Sequence, residues 1–142
     1  MKIAIFISCM VLVGGCAYQQ AKVVTEKPLQ KPVYYAPVKG NLKEDERGFY
    51  IQTRCGEFFR SVEEGKVAYS GKDVNNYGWV IIVEQMDGYV AVYGKVGKPW
   101  VNQGEKVRAR QVLGKVGKSK GNCGIHFELR DSSGKPVKPL LR

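Results

Sequence analysis

The feature that most restricts this chain is its punctuation. From residue 38 on, apolar runs of strand length are broken by turn residues at short intervals. In residues 124–130, Ile125, Phe127 and Leu129 alternate with Gly124, His126, Glu128 and Arg130, so a period of two holds over a whole strand. Residues 48–53, 65–70, 79–85 and 89–95 read as further strands, with Asp87-Gly88 as a hairpin turn between the last two. Asn75-Asn76-Tyr77-Gly78 reads as a strong turn. Gly104 and Gly114 bracket another short pair around Val107 and Val112. No long stretch has helical periodicity. The expected fold is all-β, a small antiparallel sandwich or barrel-like domain over residues 37–142, and periodicity alone leaves its topology open. Apolar residues make up 44% of the chain, which is enough for a real core.

The N-terminus has a different character. Lys2 precedes an apolar run from Ile3 to Val13, followed by Gly14-Gly15-Cys16. One positive charge, a short apolar stretch and small residues before a cleavage point are the parts of a secretory signal. The run is too short to span a bilayer as a helix. Val13-Gly14-Gly15-Cys16 resembles the bacterial lipobox, which implies a signal peptide over residues 1–15 and lipid on Cys16. Ala17 follows, where an aspartate would favour inner-membrane retention, so an outer-membrane lipoprotein facing the periplasm is expected. The alternatives are an ordinary signal peptide with a chance cysteine, and a short membrane anchor. Residues 16–36 carry Pro28 and Pro32 among polar residues, with Pro37 just beyond, and read as an extended tether.

That compartment governs the cysteines. Of the four, Cys9 leaves with the leader and Cys16 carries lipid, so Cys55 and Cys123 remain as an even pair in an oxidising environment. A Cys55–Cys123 disulfide is expected, with two separate buried thiols as the alternative. The formal net charge is +10, from 23 basic and 13 acidic side chains, and the basic residues are spread through strands and turns. Export argues against nucleic acid as a partner. A polyanionic wall or an anionic membrane face suits such a surface, against the alternative that the charge serves solubility alone.

An ordered series of short motifs gives a more specific pointer. Ala36-Pro37-Val38-Lys39-Gly40, Gly65-Lys66-Val67, Tyr77-Gly78 with Val80-Ile81-Ile82, and Tyr93-Gly94 follow one another. Val101, Gly104 and Val107, then Gly114 and Gly117, then His126-Phe127-Glu128-Leu129 and Gly134-Lys135-Pro136-Val137 complete the series. Together these resemble the lysostaphin/LytM-type zinc endopeptidases (the duplicated hybrid motif fold) over residues 35–141. The resemblance implies a zinc ion held by two histidines and an aspartate, with a further histidine assisting. In this chain the family's H-x-G-x-D motif reads Glu46-Arg47-Gly48-Phe49-Tyr50. Its H-x-H pair reads Gly124-Ile125-His126, and Lys95 stands where the assisting histidine would follow Tyr93-Gly94. The chain has one histidine in total, so no alignment of it can supply that set. Neither a catalytic residue nor a metal or other cofactor is expected. A substitute site drawn from Cys55, Cys123, His126 and Glu46 is a minor reading, because an oxidising compartment favours the disulfide.

Degenerate domains of this kind resemble the NlpD/EnvC-type activators of murein hydrolases. That resemblance implies a metal-free cleft that grips a regulatory helix of an N-acetylmuramoyl-L-alanine amidase. Glu46, Tyr50, Lys95 and His126 are the expected cleft residues, with Tyr93, Asn122 and Gly124 nearby. His126 on its own reads first as a hydrogen-bonded strand histidine. Tyr77, Trp79, Tyr89, Tyr93 and Trp100 read as core or cleft-lining residues. A peptidoglycan-binding structural lipoprotein without an amidase partner is the main competitor. A divergent peptidoglycan endopeptidase is the lesser one.

Overall fold

The structure is a computed structural model that describes residues 30–73 and 78–142. The expected signal peptide, Cys16 and most of the tether lie outside the described residues, as do Asn75, Asn76 and Tyr77 of the expected turn. Among the described residues there are strands, turns and no helix. In chain order the strands are β1 (Val33–Tyr34), β2 (Asn41–Glu44), β3 (Phe49–Thr53), β4 (Phe58–Arg60) and β5 (Gly65–Lys72). They continue with β6 (Trp79–Gln85), β7 (Val90–Val96), β8 (Lys106–Val107) and β9 (Val112–Lys115). The last four are β10 (Gly117–Ser119), β11 (Asn122–Arg130), β12 (Pro136–Val137) and β13 (Leu140–Leu141).

One antiparallel sheet dominates, in the order β2-β3-β11-β7-β6-β5-β8, with β10 and β12 also pairing β11. Two small sheets accompany it, β9 against β4 and β13 parallel to β1. The alternation read in residues 124–130 sorts the faces of the large sheet. Ile125, Phe127 and Leu129 of β11 are fully buried, as are Ile81 and Val83 of β6 and Ala91 and Tyr93 of β7. Phe59 of β4 and Leu113 of β9 are buried against that inner face, with the Phe59 and Tyr93 rings 5.7 Å apart. The result is an unequal β-sandwich whose aromatic centre joins Phe59, Tyr93 and Phe127. Truncating one of these rings to alanine costs about 3–5 kcal/mol.

Three expectations change. Val107 and Val112 do not belong to one pair: β8 pairs β5, whereas β9 pairs β4. Lys31–Ala36, assigned above to the tether, folds with the domain. Tyr34 is buried, β1 lies beside β13, and the Ala36 amide donates to the Arg142 carbonyl. Every described strand pairing and every core side chain lies within Lys31–Arg142, which forms one compact unit. Trp100, expected in the core or cleft, is 56% exposed and meets Phe58 edge-on.

Cys55 and Cys123 are bonded, joining the end of the loop after β3 to β11 across a sequence separation of 68 residues.

Candidate functional site

The outer face of the large sheet carries a cleft of about 610 Å³. Its floor follows from strand parity. On β6 and β7 the residues between the buried positions are Val80, Ile82, Val92 and Gly94, and they form an apolar half. On β11 the same parity brings His126, Glu128 and Arg130 outward, forming a charged half. The loop between β2 and β3 supplies one wall through Asp45, Glu46 and Arg47, while Asp73 and Lys95 complete the rim.

His126 is the centre of the charged half. Its Nε2 lies 2.9 Å from Asp45 Oδ2, and its Nδ1 lies 3.3 Å from Glu128 Oε2. Arg130 extends the chain of charges, with Nη2 donating to Glu128 Oε1 at 2.7 Å, and Arg47 adds a longer contact of 3.8 Å. The loop holds Asp45 in place, because its carboxylate also accepts the Arg47 and Gly48 amides. Burial pushes the Asp45 carboxyl up, but those amides and His126 outweigh it and hold the group at about 2. The hydrogen bond to Glu128 raises the His126 pKa against the opposing effect of burial, and Asp45 raises it further. The same bond to His126 lowers Glu128, again against burial, with help from Arg130. Both imidazole nitrogens therefore face carboxylates, an arrangement made for the protonated ring.

Tyr50 and Gly124 form the neighbouring part of the outer face. Tyr50 is directly opposite His126 in the β3–β11 register, and its ring leans over Gly124. A Cβ added at Gly124 would lie 2.7 Å from the Tyr50 hydroxyl and 2.3 Å from the Ile51 carbonyl oxygen. The second contact is with backbone of the paired strand, so any larger residue at 124 requires the sheet to move. Lys95 Nζ stands 5.7 Å from the Tyr50 ring centre, within cation–π range. The Lys95 backbone is left-handed, at φ 56°, a conformation costing an L-residue roughly 1–2 kcal/mol. Gly117 backs it closely, since a Cβ there would meet the Lys95 carbonyl oxygen at 2.1 Å.

Of the residues named from sequence, Glu46, Lys95 and His126 line the cleft, and Tyr50 borders it over a buried Gly124. Tyr93 is a correction. It is fully buried on the inner face, where its hydroxyl accepts the Val62 amide at 2.9 Å, and burial pushes its pKa up to about 12. Motif position placed it near the cleft, but neighbouring Gly94 occupies the outward parity. Asn122 lies four residues up β11 from His126, roughly 13 Å at strand rise, beyond the lining residues. Its side chain accepts from Gln52 at 3.5 Å. Asp45, Glu128 and Arg130 were missed, although strand parity from His126 marks Glu128 and Arg130 as its neighbours on one face.

These residues do not fit a zinc ion held by two histidines and an aspartate. Asp45 and Glu128 bind opposite edges of the His126 ring and do not converge on one point. Among the described residues no group of three or more His, Cys, Asp or Glu side chains is arranged to hold a metal. Lys95 adds a further cation to the cleft lining, which opposes a dication there.

Known proteins resemble this arrangement at two levels. The chain is 30% identical over 95 residues to the NlpD/LppB homolog lipoprotein of Pseudomonas aeruginosa, covering 66% of this chain and 32% of that protein. It is 30% identical over 95 residues to the murein hydrolase activator EnvC of Escherichia coli, covering 66% of this chain and 22% of that protein. It thus spans about a third or less of these relatives. The structure of Helicobacter pylori Csd3 shares the fold, with a TM-score of 0.68 and 20% identity, covering 79% of this chain and 35% of that one. The model of peptidase family M23 matches residues 44–139, which include the cleft wall, the large sheet from β3 onward and β12. On that match, this chain belongs to peptidase family M23.

Proposed function

We propose that this chain is a non-catalytic lipoprotein of the bacterial envelope that binds and activates a peptidoglycan amidase through its cleft. The observation that carries this reading is the cleft itself. In it a salt-bridged network of Asp45, His126, Glu128 and Arg130 stands beside the apolar strip Val80, Ile82 and Val92. Such a surface offers no activated water, but it matches an amphipathic segment that presents an apolar edge and a charged edge. Glu46, Tyr50, Lys95 and His126 are the contact residues in this reading. The murein hydrolase activator EnvC and the NlpD/LppB homolog lipoprotein among the relatives support it. Residues 1–15 act as the signal, lipid on Cys16 anchors the mature chain in the outer membrane, and the domain faces the periplasm.

Activation follows from differential affinity. A cleft that binds the regulatory segment only when it is withdrawn from the amidase active site shifts the enzyme toward its open state. The test is a reconstituted digestion with purified protein, dye-labelled sacculi and candidate amidases. Release of dye only when protein and amidase are combined is the expected result. Release by the protein alone, stopped by a chelator, would make it an endopeptidase. Retention on sacculi without release from any mixture would make it a structural wall binder, the reading that the +10 net charge favours.

A further inference from the structure

Away from the cleft, the small parallel sheet carries a second surface. In β1 and the residue after it, Val33 and Tyr35 point outward on either side of buried Tyr34, at 43% and 61% exposure. Leu140 pairs with Val33 across the sheet and is 56% exposed. Arg142 follows Leu140 by two residues and so shares its face. Its guanidinium carbon lies 6.0 Å from the Tyr35 ring centre, and that of Arg110 lies 5.9 Å from the same ring. Arg110 is fixed by donating to the Tyr35 and Ala36 carbonyls, and Arg60 in turn donates to the Arg110 carbonyl.

Two guanidiniums thus stand over one exposed tyrosine beside an exposed aliphatic pair, and a third, that of Arg60, lies against the Arg110 backbone. Among the described residues no side-chain carboxylate lies within salt-bridge distance of any of the three. Burial and the nearby Arg60 lower the Arg110 pKa, as expected where like charges crowd without a counterion. An aliphatic pair, an aromatic ring and unpaired arginines on one face are the composition of a surface that lies in a lipid headgroup layer.

We propose that this face docks on the anionic phospholipid surface of the membrane that anchors the chain. Chain geometry supports that occupant. The polypeptide enters the folded unit at Lys31, immediately before β1. Residues 17–30 reach at most roughly 50 Å when fully extended. A chain held at Cys16 therefore keeps the β1–β13 face within reach of the bilayer. Docking there orients the domain as well as localising it. The proposal rests on the lipid anchor for its setting, but its test does not use the lipid.

The experiment measures partition of the unlipidated chain, residues 17–142, onto vesicles of pure phosphatidylcholine and onto vesicles in which one lipid in three is phosphatidylglycerol. The expected result is at least ten-fold stronger partition onto the anionic vesicles, falling as salt is raised. Arg142→Glu should weaken it about five-fold or more, given the attraction of a single basic residue near such a surface. Leu140→Ser should weaken it independently, and thermal melting of both exposed-site variants checks that they fold. Lys118→Glu makes the same change in net charge. Lys118 sits in β10 opposite Cys123, at the other end of β11 from the turn leading to β13, and its substitution should leave partition within two-fold. Equal partition onto both vesicle types overturns the proposal. So does an equal loss with Lys118→Glu, which reads out bulk charge. Retention on sacculi that depends on Arg142 without vesicle binding also overturns it, in favour of the wall. Lipidation at Cys16 is read separately, by mass spectrometry of the membrane-extracted chain, so failure of the anchor and failure of the face are distinguishable.

Discussion

Asp45 reaches across from the β2–β3 loop to hold His126 in the large sheet, with 2.9 Å between Oδ2 and Nε2. Glu128 holds the other ring nitrogen, so the imidazolium can donate to both carboxylates while the neutral ring can donate to only one. The His126 pKa is raised from 6.5, so its stabilising contribution is full below that value and is lost as pH rises through the higher folded value. Asp45 and Glu128 are lowered, so theirs is full above the ordinary carboxylate range and is lost as pH falls through the lowered values, about 2 for Asp45. The network is therefore strongest in mildly acidic solution. Because the chain has a single histidine, its imidazole signal in a proton NMR titration is unambiguous. The midpoint should lie above 6.5 and should fall in Asp45→Asn, which keeps the loop's amide contacts. A wild-type midpoint at or below the ordinary value would sink the ion-pair description.

Lys95 separates binding from folding. Glycine removes the cost of its left-handed backbone but loses roughly 0.5–1 kcal/mol in chain entropy and a cation–π contact of similar size. Lys95→Gly should therefore melt within a few degrees of wild type. Lys95→Glu should also remain folded, since the side chain is exposed at the rim. Both should weaken binding to the amidase identified in the digestion assay, with Lys95→Glu losing at least ten-fold. Unchanged affinity in Lys95→Glu would remove the cleft as the interface.

Strand parity made the central sheet readable from sequence, and it failed where pairing is short or distant. Residues 124–130 announced β11 because every second side chain is apolar, and that pattern already turned His126 outward. The same parity over 89–95 turns Tyr93 inward with Ala91, on the face opposite Gly94. Motif position carries no information on which way a side chain points. Asp45 stands just before the family motif and was overlooked, although an aspartate three residues before a glycine is an Asx-turn signal. The pairing of β1 with β13 joins the two ends of the domain through strands of two residues. No periodicity window can detect a strand that short.

The Cys55–Cys123 bond closes a loop of 68 residues between an exposed half-cystine and a buried one. A disulfide typically stabilises a fold by about 2–4 kcal/mol, and the length of this loop favours the upper end. Reduction, or Cys55→Ser with Cys123→Ser, should lower the melting midpoint by on the order of 10 °C. The double variant should show no further change on adding reductant. Alkylation of two free thiols in protein exported to the periplasm, with a melt indifferent to reductant, would show that the pair is not bonded there.

The domain begins before residue 37, and Tyr34 is the reason. Its ring is buried in the core, and its hydroxyl donates to Asp87 Oδ2 at 2.6 Å while accepting from Gln85 Nε2 at 3.0 Å. Burial and the Asp87 carboxylate push the phenol well above its ordinary pKa, so it stays neutral as a donor across the physiological range. A chain starting at residue 37 loses this ring, the β1–β13 pairing and the Ala36–Arg142 hydrogen bond together. Burial of one large side chain and the hydrogen bonds made by Pro32, Tyr34 and Ala36, set against the entropy of ordering this segment, amounts to about 2–4 kcal/mol. Residues 37–142 should accordingly melt on the order of 10 °C below residues 31–142. Tyr34→Phe in the longer chain should lose only about 1–2 kcal/mol, because the ring stays buried and Gln85 keeps its second bond to Asp87 Oδ1. If the two lengths melt together, β1 contributes nothing to stability and the tether does extend to Ala36.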